Sequence, residues 1–67
     1  MKRVELSNAR KQLGYSQANF AERLDISTEH MRSLEYGRSN PSTALLFKIC
    51  KELNSSPDEL FKDLTLV

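Results

Sequence analysis

Apolar residues recur every three or four positions along the chain, and short polar connectors separate the stretches that contain them. This spacing is typical of α-helices that bury one face. The connectors contain Gly, Pro, Ser and Asn, which commonly end one helix and begin the next. The pattern predicts one compact all-α domain over residues 1–67. Its five helices are predicted at 2–13, 16–24, 28–36, 42–53 and 57–64.

Local start and stop signals support these boundaries. A serine that can accept a hydrogen bond from a free backbone N–H stands at four predicted helix starts: Ser16, Ser27, Ser42 and Ser56. The last start is the strongest, because Pro57 suits the first helical position and Glu59 follows three residues after the serine. Gly14 and Gly37 stand where the first and third helices should end.

The same spacing predicts which side chains are buried. In helices one, two and four, the residues expected to face inward are Leu6, Ala9, Leu13, Phe20, Ala21, Leu24, Leu46, Ile49, Cys50 and Leu53. Helix three differs because much of its surface is polar. At about 100° per residue, its polar side spans an arc of roughly 140° and holds Thr28, Glu29, Arg32, Ser33 and Tyr36. Its opposite side, predicted to be buried, holds Ser27, His30, Met31 and Leu34. An ordinary solvated face and a surface for the edges of DNA base pairs both fit this stripe.

The connection between helices two and three favours the second interpretation. Helix two is predicted to end at Leu24 and helix three to start at Thr28, so only three residues turn the chain. A connection this short forces a sharp angle and is typical of a helix-turn-helix unit, with Ile26 buried in the turn. With helix three in the major groove, Ser16 and Gln17 at the start of helix two would face the phosphates.

From about Leu6 to Phe61 the sequence resembles the Cro/lambda-repressor (XRE-like) type of helix-turn-helix regulator, a five-helix domain of bacterial and phage transcription factors. The residues that carry the resemblance are Arg10; Gly14, Tyr15, Ser16 and Gln17; Phe20, Ala21 and Leu24; Ile26 and Ser27; Met31, Leu34, Glu35 and Gly37; Pro41 and Ser42; and Leu46, Ile49, Leu53 and Leu60. Three positions depart from the family pattern, because Asp25 and Asn54 replace glycines and Asn19 replaces a glutamate. Aspartate and asparagine tolerate the left-handed backbone, so the two turns should survive.

The resemblance also implies roles for individual residues. It implies a structural ion pair between Arg10 and Glu35. It places Thr28, Glu29, Arg32 and Ser33 against bases, and Ser16, Gln17, Ser27, Tyr36, Arg38 and Asn40 against the DNA backbone. By their chemistry, Arg32 suits guanine O6 and N7 or a phosphate, Thr28 a thymine methyl group, and Glu29 the amino group of cytosine.

Composition and charge fit a small cytosolic DNA-binding domain but do not require one. Charged residues make up 28% of the 67 residues and the net charge is only +1. The basic residues are slightly concentrated in the N-terminal part of the sequence, and Lys2, Arg3, Arg10 and Lys11 lie at the centre of this mild bias. No apolar run approaches the roughly 18 residues of a membrane span. A cytoplasmic protein without a membrane segment is therefore expected.

The sequence offers no set of residues for catalysis or metal binding. Cys50 and His30 are the only residues of their types, so they cannot complete a structural zinc site or an internal disulfide. Cys50 lies on the apolar side of helix four and is expected in the core, and His30 is expected at the edge of the packing face of helix three. We therefore expect neither an enzyme nor a cofactor.

A domain of this size commonly contacts double-stranded DNA as a twofold dimer on a near-palindromic site. Apolar residues beyond the needs of the core are candidates for a homodimer contact: Leu45, Phe61, Leu64, Leu66 and Val67. Their alternative role is in the core or in a frayed tail. Two other functions remain open, namely an antitoxin or immunity-type partner of another protein, and a protein-interaction module with weak or lost DNA binding.

Overall fold

A computed structural model describes residues 2–65 of the chain. Within that range the fold is all-helical, as predicted, and has six helices where five were expected. They are α1 (Val4–Gln12), α2 (Gln17–Leu24), α3 (Thr28–Glu35), α4 (Thr43–Leu53), α5 (Pro57–Leu60) and α6 (Lys62–Thr65). The first helix thus begins two residues later than expected, and the predicted helix over 57–64 is wrong as one continuous element.

The extra break lies at Phe61, between α5 and α6. Its backbone leaves helical geometry (φ −130°, ψ 53°), and its side chain is completely buried. Because the chain turns at this residue, the aromatic ring enters the core instead of lying on the outside of a continuing helix. A helical period cannot reveal such a turn when the residue after Leu60 is itself apolar.

Serine side chains begin the three central helices. The Oγ atoms of Ser16, Ser27 and Ser42 accept hydrogen bonds from the backbone N–H three residues later, at 3.0, 3.0 and 3.2 Å. Ser56 instead lies 3.4 Å from the side chain of Glu59 and makes no such cap. Of the three residues that predicted this helix start, only Pro57 acts as expected, since it occupies the first helical position.

Two non-glycine residues end helices in the left-handed conformation, at the positions where the family pattern has glycine. They are Asp25 (φ 59°) after α2 and Asn54 (φ 52°) after α4. At Asn54 the backbone N–H of the next residue returns to the carbonyl of Cys50 at 2.9 Å, which closes the helix end. Both turns thus survive the loss of glycine.

Eleven apolar side chains form a single core: Leu6, Phe20, Ala21, Leu24, Met31, Leu34, Ile49, Cys50, Leu53, Leu60 and Phe61. Ala9 and Leu46 are partly buried against it. The prediction for Leu13 is wrong, because this side chain is 54% exposed beyond the end of α1. Ser27 and His30 were also expected on a buried face and are exposed, so α3 buries only Met31, Leu34 and Glu35. The buried side of α3 is therefore narrower than the sequence predicted.

The helices pack so that α2 and α3 form a closely associated pair. Helix α1 supports α3 from one side and packs on α5, while α4 contacts α2 and α5. Between residues 2 and 65 the structure has no helix with the length and apolar character needed to cross a membrane.

Candidate nucleic-acid interface

The angle between α2 and α3 is fixed by the three-residue turn between them. Asp25 adopts the left-handed conformation, and the backbone N–H of Ile26 then donates to the carbonyl of Ala21 at 3.0 Å. The Ile26 side chain packs against the core. The turn and the core together hold α3 on a rigid support.

Helix α3 presents its polar side to solvent. Met31 and Leu34 are completely buried, whereas Glu29 and Arg32 are exposed and Thr28 and Ser33 are partly exposed. The four residues expected to contact bases therefore lie on an accessible surface. None of them is needed to fill the core.

Glu29 and Arg32 are paired with each other on that surface. Arg32 Nη1 donates to Glu29 Oε1 across one helical turn, and the two side chains are 47% and 81% exposed, respectively. This pairing adds to the sequence prediction, which assigns each residue a separate contact with a base. In the free protein their charges offset each other, so this part of α3 is close to neutral.

A buried ion pair lies beneath the end of α3. Arg10 Nε donates to Glu35 Oε2 at 2.6 Å and Arg10 Nη2 to Oε1 at 3.3 Å, and each side chain is only 6% exposed. A third bond, from Arg10 Nη1 to the carbonyl of Tyr15 at 2.6 Å, ties the pair to the start of α2. Gln17 completes the cluster by donating Nε2 to Glu35 Oε1 at 3.1 Å. The pair between Arg10 and Glu35 that the resemblance implied is present, and its bonds to Tyr15 and Gln17 also connect it to the start of α2.

The side chains expected at the DNA backbone lie around α3 but differ in what they contact. Ser16, Ser27, Tyr36, Arg38 and Asn40 are exposed, and Gln17 is partly buried. The hydroxyls of Ser16 and Ser27 cap helices, so each offers DNA the hydroxyl hydrogen. The Oδ1 atom of Asn40 accepts from Arg3 Nη2 at 2.8 Å, and the Gln17 carboxamide faces Glu35. These two amides are thus held in fixed orientations by the fold.

Arg3, one of the four residues at the centre of the basic bias along the sequence, is buried. Its side chain is 3% exposed, and each of its five guanidinium N–H groups has an acceptor. Nη1 donates to the carbonyls of Leu34 and Ser39 at 2.7 and 2.8 Å. Nη2 donates to Asn40 and, at 3.0 Å, to Asp63 Oδ2, while Nε donates to Asp63 Oδ1 at 3.1 Å. Arg3 thus joins the N-terminus, the end of α3, the following loop and α6.

Ion pairing changes the distribution of free positive charge. In the described part of the chain, five basic residues contact carboxylates: Arg3, Arg10, Arg23, Arg32 and Lys62. Two of the four residues at the centre of the N-terminal basic bias, Arg3 and Arg10, are therefore neutralised. Lys2 and Lys11 have no carboxylate within ion-pair distance among residues 2–65, and neither has Arg38.

A cleft of about 510 Å³ lies between α1, the start of α2 and the end of α3. The residues that line it include Lys2, Lys11, Ser16, Gln17 and Tyr36. The Tyr36 ring has Lys2 Nζ 5.1 Å and the Arg38 guanidinium carbon 5.5 Å from its centre. The cleft and the two cations lie beside three residues expected at the DNA backbone.

The structure revises the residues expected in a dimer contact. Phe61 is completely buried and cannot contribute, and Leu45 is partly buried against the core. Leu64 is 39% exposed, while Leu66 and Val67 lie outside the described residues. Phe47 was missed and is 61% exposed on α4. The helical period does place Phe47 outside the inward stripe of Leu46, Ile49, Cys50 and Leu53, so its exposure could have been predicted from the sequence.

The two residues considered for chemistry occupy different surroundings. Cys50 is buried in the core, where burial raises the pKa of its thiol and so disfavours the reactive thiolate. His30 is exposed on α3. Among residues 2–65 no group of three or more His, Cys, Asp or Glu side chains is arranged to hold a metal ion.

A rigid helix pair with an outward polar second helix, closed by a buried Arg–Glu pair, defines a DNA-binding protein of the helix-turn-helix class. Comparison with protein families agrees, because the helix-turn-helix family matches residues 6–60. The chain therefore belongs to that family of DNA-binding regulators, in its Cro/lambda-repressor type. Searches of curated proteins and of solved structures gave no significant match.

Proposed function

We propose that this chain is a transcriptional regulator of the repressor type. It binds a near-palindromic site on double-stranded DNA as a homodimer and places α3 in the major groove. Such a regulator of bacterial or phage genes would act in the cytoplasm, without a cofactor and without catalysis. The observation that carries the proposal is the division of α3 into one side that fills the core and another that projects four polar side chains.

The side chains on that outer side suit the edges of base pairs. Arg32 can donate two hydrogen bonds to guanine O6 and N7, and Glu29 can accept one from the amino group of cytosine. Thr28 offers a methyl group to thymine, and Ser33 can donate or accept. Each good bidentate contact discriminates against the wrong base by about 1–3 kcal/mol.

Backbone contacts from neighbouring elements would fix the orientation of α3. The start of α2 provides Ser16 and Gln17, and the segment after α3 provides Tyr36, Arg38 and Asn40. Phosphate contacts carry little sequence information themselves, but they set the register in which α3 meets the bases.

A homodimer follows from the small number of base contacts that one α3 can make. Four side chains give limited specificity, and a twofold dimer doubles the contacts on two half-sites about 34–36 Å apart. Of the residues predicted for this contact, Leu64 on α6 is the one that is exposed within the described part of the chain, since Phe61 belongs to the core.

Selection of bound sequences from a random duplex pool tests this function. We expect a twofold-symmetric consensus with half-site centres separated by about 10 base pairs or a multiple of that distance. Binding to the selected site should weaken steeply with salt, because each phosphate contact releases counterions. A pool that shows no enrichment, together with no salt-dependent binding, would contradict the proposal. Co-purification of one stoichiometric partner protein in place of DNA would favour the antitoxin-type function.

A further inference from the structure

We infer that the N-terminal residues form an additional binding element for a DNA phosphodiester, in which Lys2 is the contact residue and Arg3 is the residue that positions it. The inference rests on the proposed DNA-binding function. It extends that function to a part of the chain for which neither the family resemblance nor the sequence predicted a DNA contact.

Arg3 fixes the backbone next to Lys2. Its guanidinium group makes five hydrogen bonds. The guanidinium carbon also lies over the Phe61 ring, 5.1 Å from the centre of that ring. Its backbone N–H also donates to the carbonyl of Glu35 at 2.7 Å. Lys2 is therefore held, through its neighbour, at the end of α3.

This attachment places Lys2 beside the side chains that are proposed to contact DNA. Lys2 Nζ lies over the Tyr36 ring, and Arg38 approaches the same ring. Lys2 also lines the cleft that contains Ser16 and Gln17 at the start of α2. The N-terminus, the start of α2 and the end of α3 therefore present their polar groups on one side of the molecule.

The local charge favours an anion. In the described part of the chain, Lys2 and Arg38 have no carboxylate partner, and both lie near the Tyr36 ring. Among the described residues that line the cleft, the only carboxylate belongs to Glu35, which Arg10 already neutralises. A phosphodiester oxygen beside Lys2 would therefore be attracted by the unpaired positive charge and accept a hydrogen bond from the ammonium group.

Arg3 itself does not contact DNA in this arrangement, because it is buried and its donors are occupied. Its effect is exerted through Lys2 and through Asn40, whose carboxamide oxygen it holds. Lysine at position 3 would keep the charge, but its three donors cannot replace the planar five-donor group. Arg3→Lys should therefore release the N-terminal residues without changing net charge.

The test measures binding of the selected operator between 50 and 400 mM salt by fluorescence anisotropy, a range chosen because the slope of log K against log salt counts phosphate contacts. Lys2→Ala should reduce that slope by about 0.9 and weaken binding by roughly eightfold at 0.1 M salt. Lys51→Ala is the matched control: it makes the same charge change at an exposed position on α4, a helix with no proposed DNA contact. It should keep the parent slope.

Arg3→Lys should lower the slope by at least as much as Lys2→Ala, although its charge is unchanged. In the Arg3→Lys background, Lys2→Ala should then have little further effect, since the contact is already lost. In phosphate ethylation interference, the same phosphate should cease to matter for binding in Lys2→Ala and in Arg3→Lys. A general loss of stability would not remove the effect of one particular phosphate. Circular dichroism confirms folding before each titration, and if Arg3→Lys is unfolded, Lys2→Ala decides the matter because its side chain is exposed.

Equal slopes for Lys2→Ala and Lys51→Ala would overturn this inference while leaving the DNA-binding function intact. A parent protein that binds no DNA would overturn both.

Discussion

Glu29 and Arg32 form an ion pair one turn apart on the exposed side of α3. An exposed pair of this kind contributes little to stability, because water and salt screen it. It can therefore open readily when DNA approaches. The pair also keeps Arg32 partly occupied, so that a phosphate must compete with Glu29 for the guanidinium group.

This pairing predicts a loss of selectivity when Glu29 is removed. Glu29→Ala should increase binding to random DNA, because the carboxylate that repels phosphates and holds Arg32 is gone. Binding to the selected operator should change less, so the ratio of specific to non-specific affinity should fall by about tenfold to a hundredfold. Parallel titrations on both DNAs measure that ratio.

Glu22→Ala provides the control for this experiment. It also removes one exposed carboxylate, but Glu22 lies on α2 and not on the side of α3 that is proposed to contact bases. Arg32→Ala should weaken binding to the operator more than binding to random DNA. An unchanged ratio in both Glu29→Ala and Arg32→Ala would show that these residues do not contact bases.

The buried pair of Arg10 and Glu35 predicts a large effect on stability. Glu35→Ala should destabilise the domain by about 3–5 kcal/mol, because it leaves the Arg10 charge buried without its partner. Replacing both residues, as Arg10→Met with Glu35→Leu, should recover much of that loss. Urea denaturation gives the free energy of unfolding. If the double variant is no more stable than Glu35→Ala, the charge of Arg10 is not the cause.

The bond from Arg3 predicts how stability depends on pH. Arg3 lowers the pKa of Asp63 below its ordinary value of 3.8 by hydrogen bonding to the carboxylate. The unfolded chain therefore takes up a proton at this group at higher pH than the folded chain does, so acid favours unfolding. The contribution of Asp63 is fully present above about pH 5 and is lost as pH falls through the lowered pKa.

Asp63→Asn should remove this contribution. The free energy of unfolding of the parent should fall more steeply between pH 5 and pH 3 than that of the variant, and the two should differ most at neutral pH. Urea denaturation at pH 7, 5, 4 and 3 measures both. Parallel pH curves for parent and variant would show that Asp63 is not linked to folding.

The left-handed conformation of Asp25 predicts an order of stability among substitutions. Alanine at this position meets the steric penalty that aspartate partly avoids and glycine lacks. We expect Asp25→Gly to be the most stable, followed by the parent, with Asp25→Ala about 1 kcal/mol less stable than the parent. Denaturation midpoints in urea check the order. A higher midpoint for Asp25→Ala than for Asp25→Gly would show that the backbone conformation at this position does not limit stability.

The fold could be predicted largely because its signals are local. Ser16, Ser27 and Ser42 act on backbone groups within three residues, and the turn at Asp25 needs only a residue that tolerates a positive φ. The outward side of α3 follows from its period, since Met31 and Leu34 define the buried stripe. Such features depend on neighbours along the chain, which the sequence shows directly.

The residues whose surroundings the sequence did not reveal depend on contacts between distant parts of the chain. Arg3 is buried only because Asp63 and the segment after α3 supply its acceptors. A charged residue near a terminus is ordinarily solvated, and no local signal distinguishes this one. Leu13 and Phe61 show the same limitation for apolar residues, because the end of α1 exposes one and the break before α6 buries the other. The proposed base contacts remain predictions, since they depend on DNA as well as on the fold.

The bond between Arg3 and Asp63 also determines how this unit can be joined to others. It brings the third and the sixty-third residues together, so polypeptide attached before or after the domain would enter and leave at neighbouring points. Two copies in tandem, or an insertion of the unit within a larger protein, would then require only a short connecting segment. A fused module would sit on the side of the molecule where Arg3 and Asp63 lie.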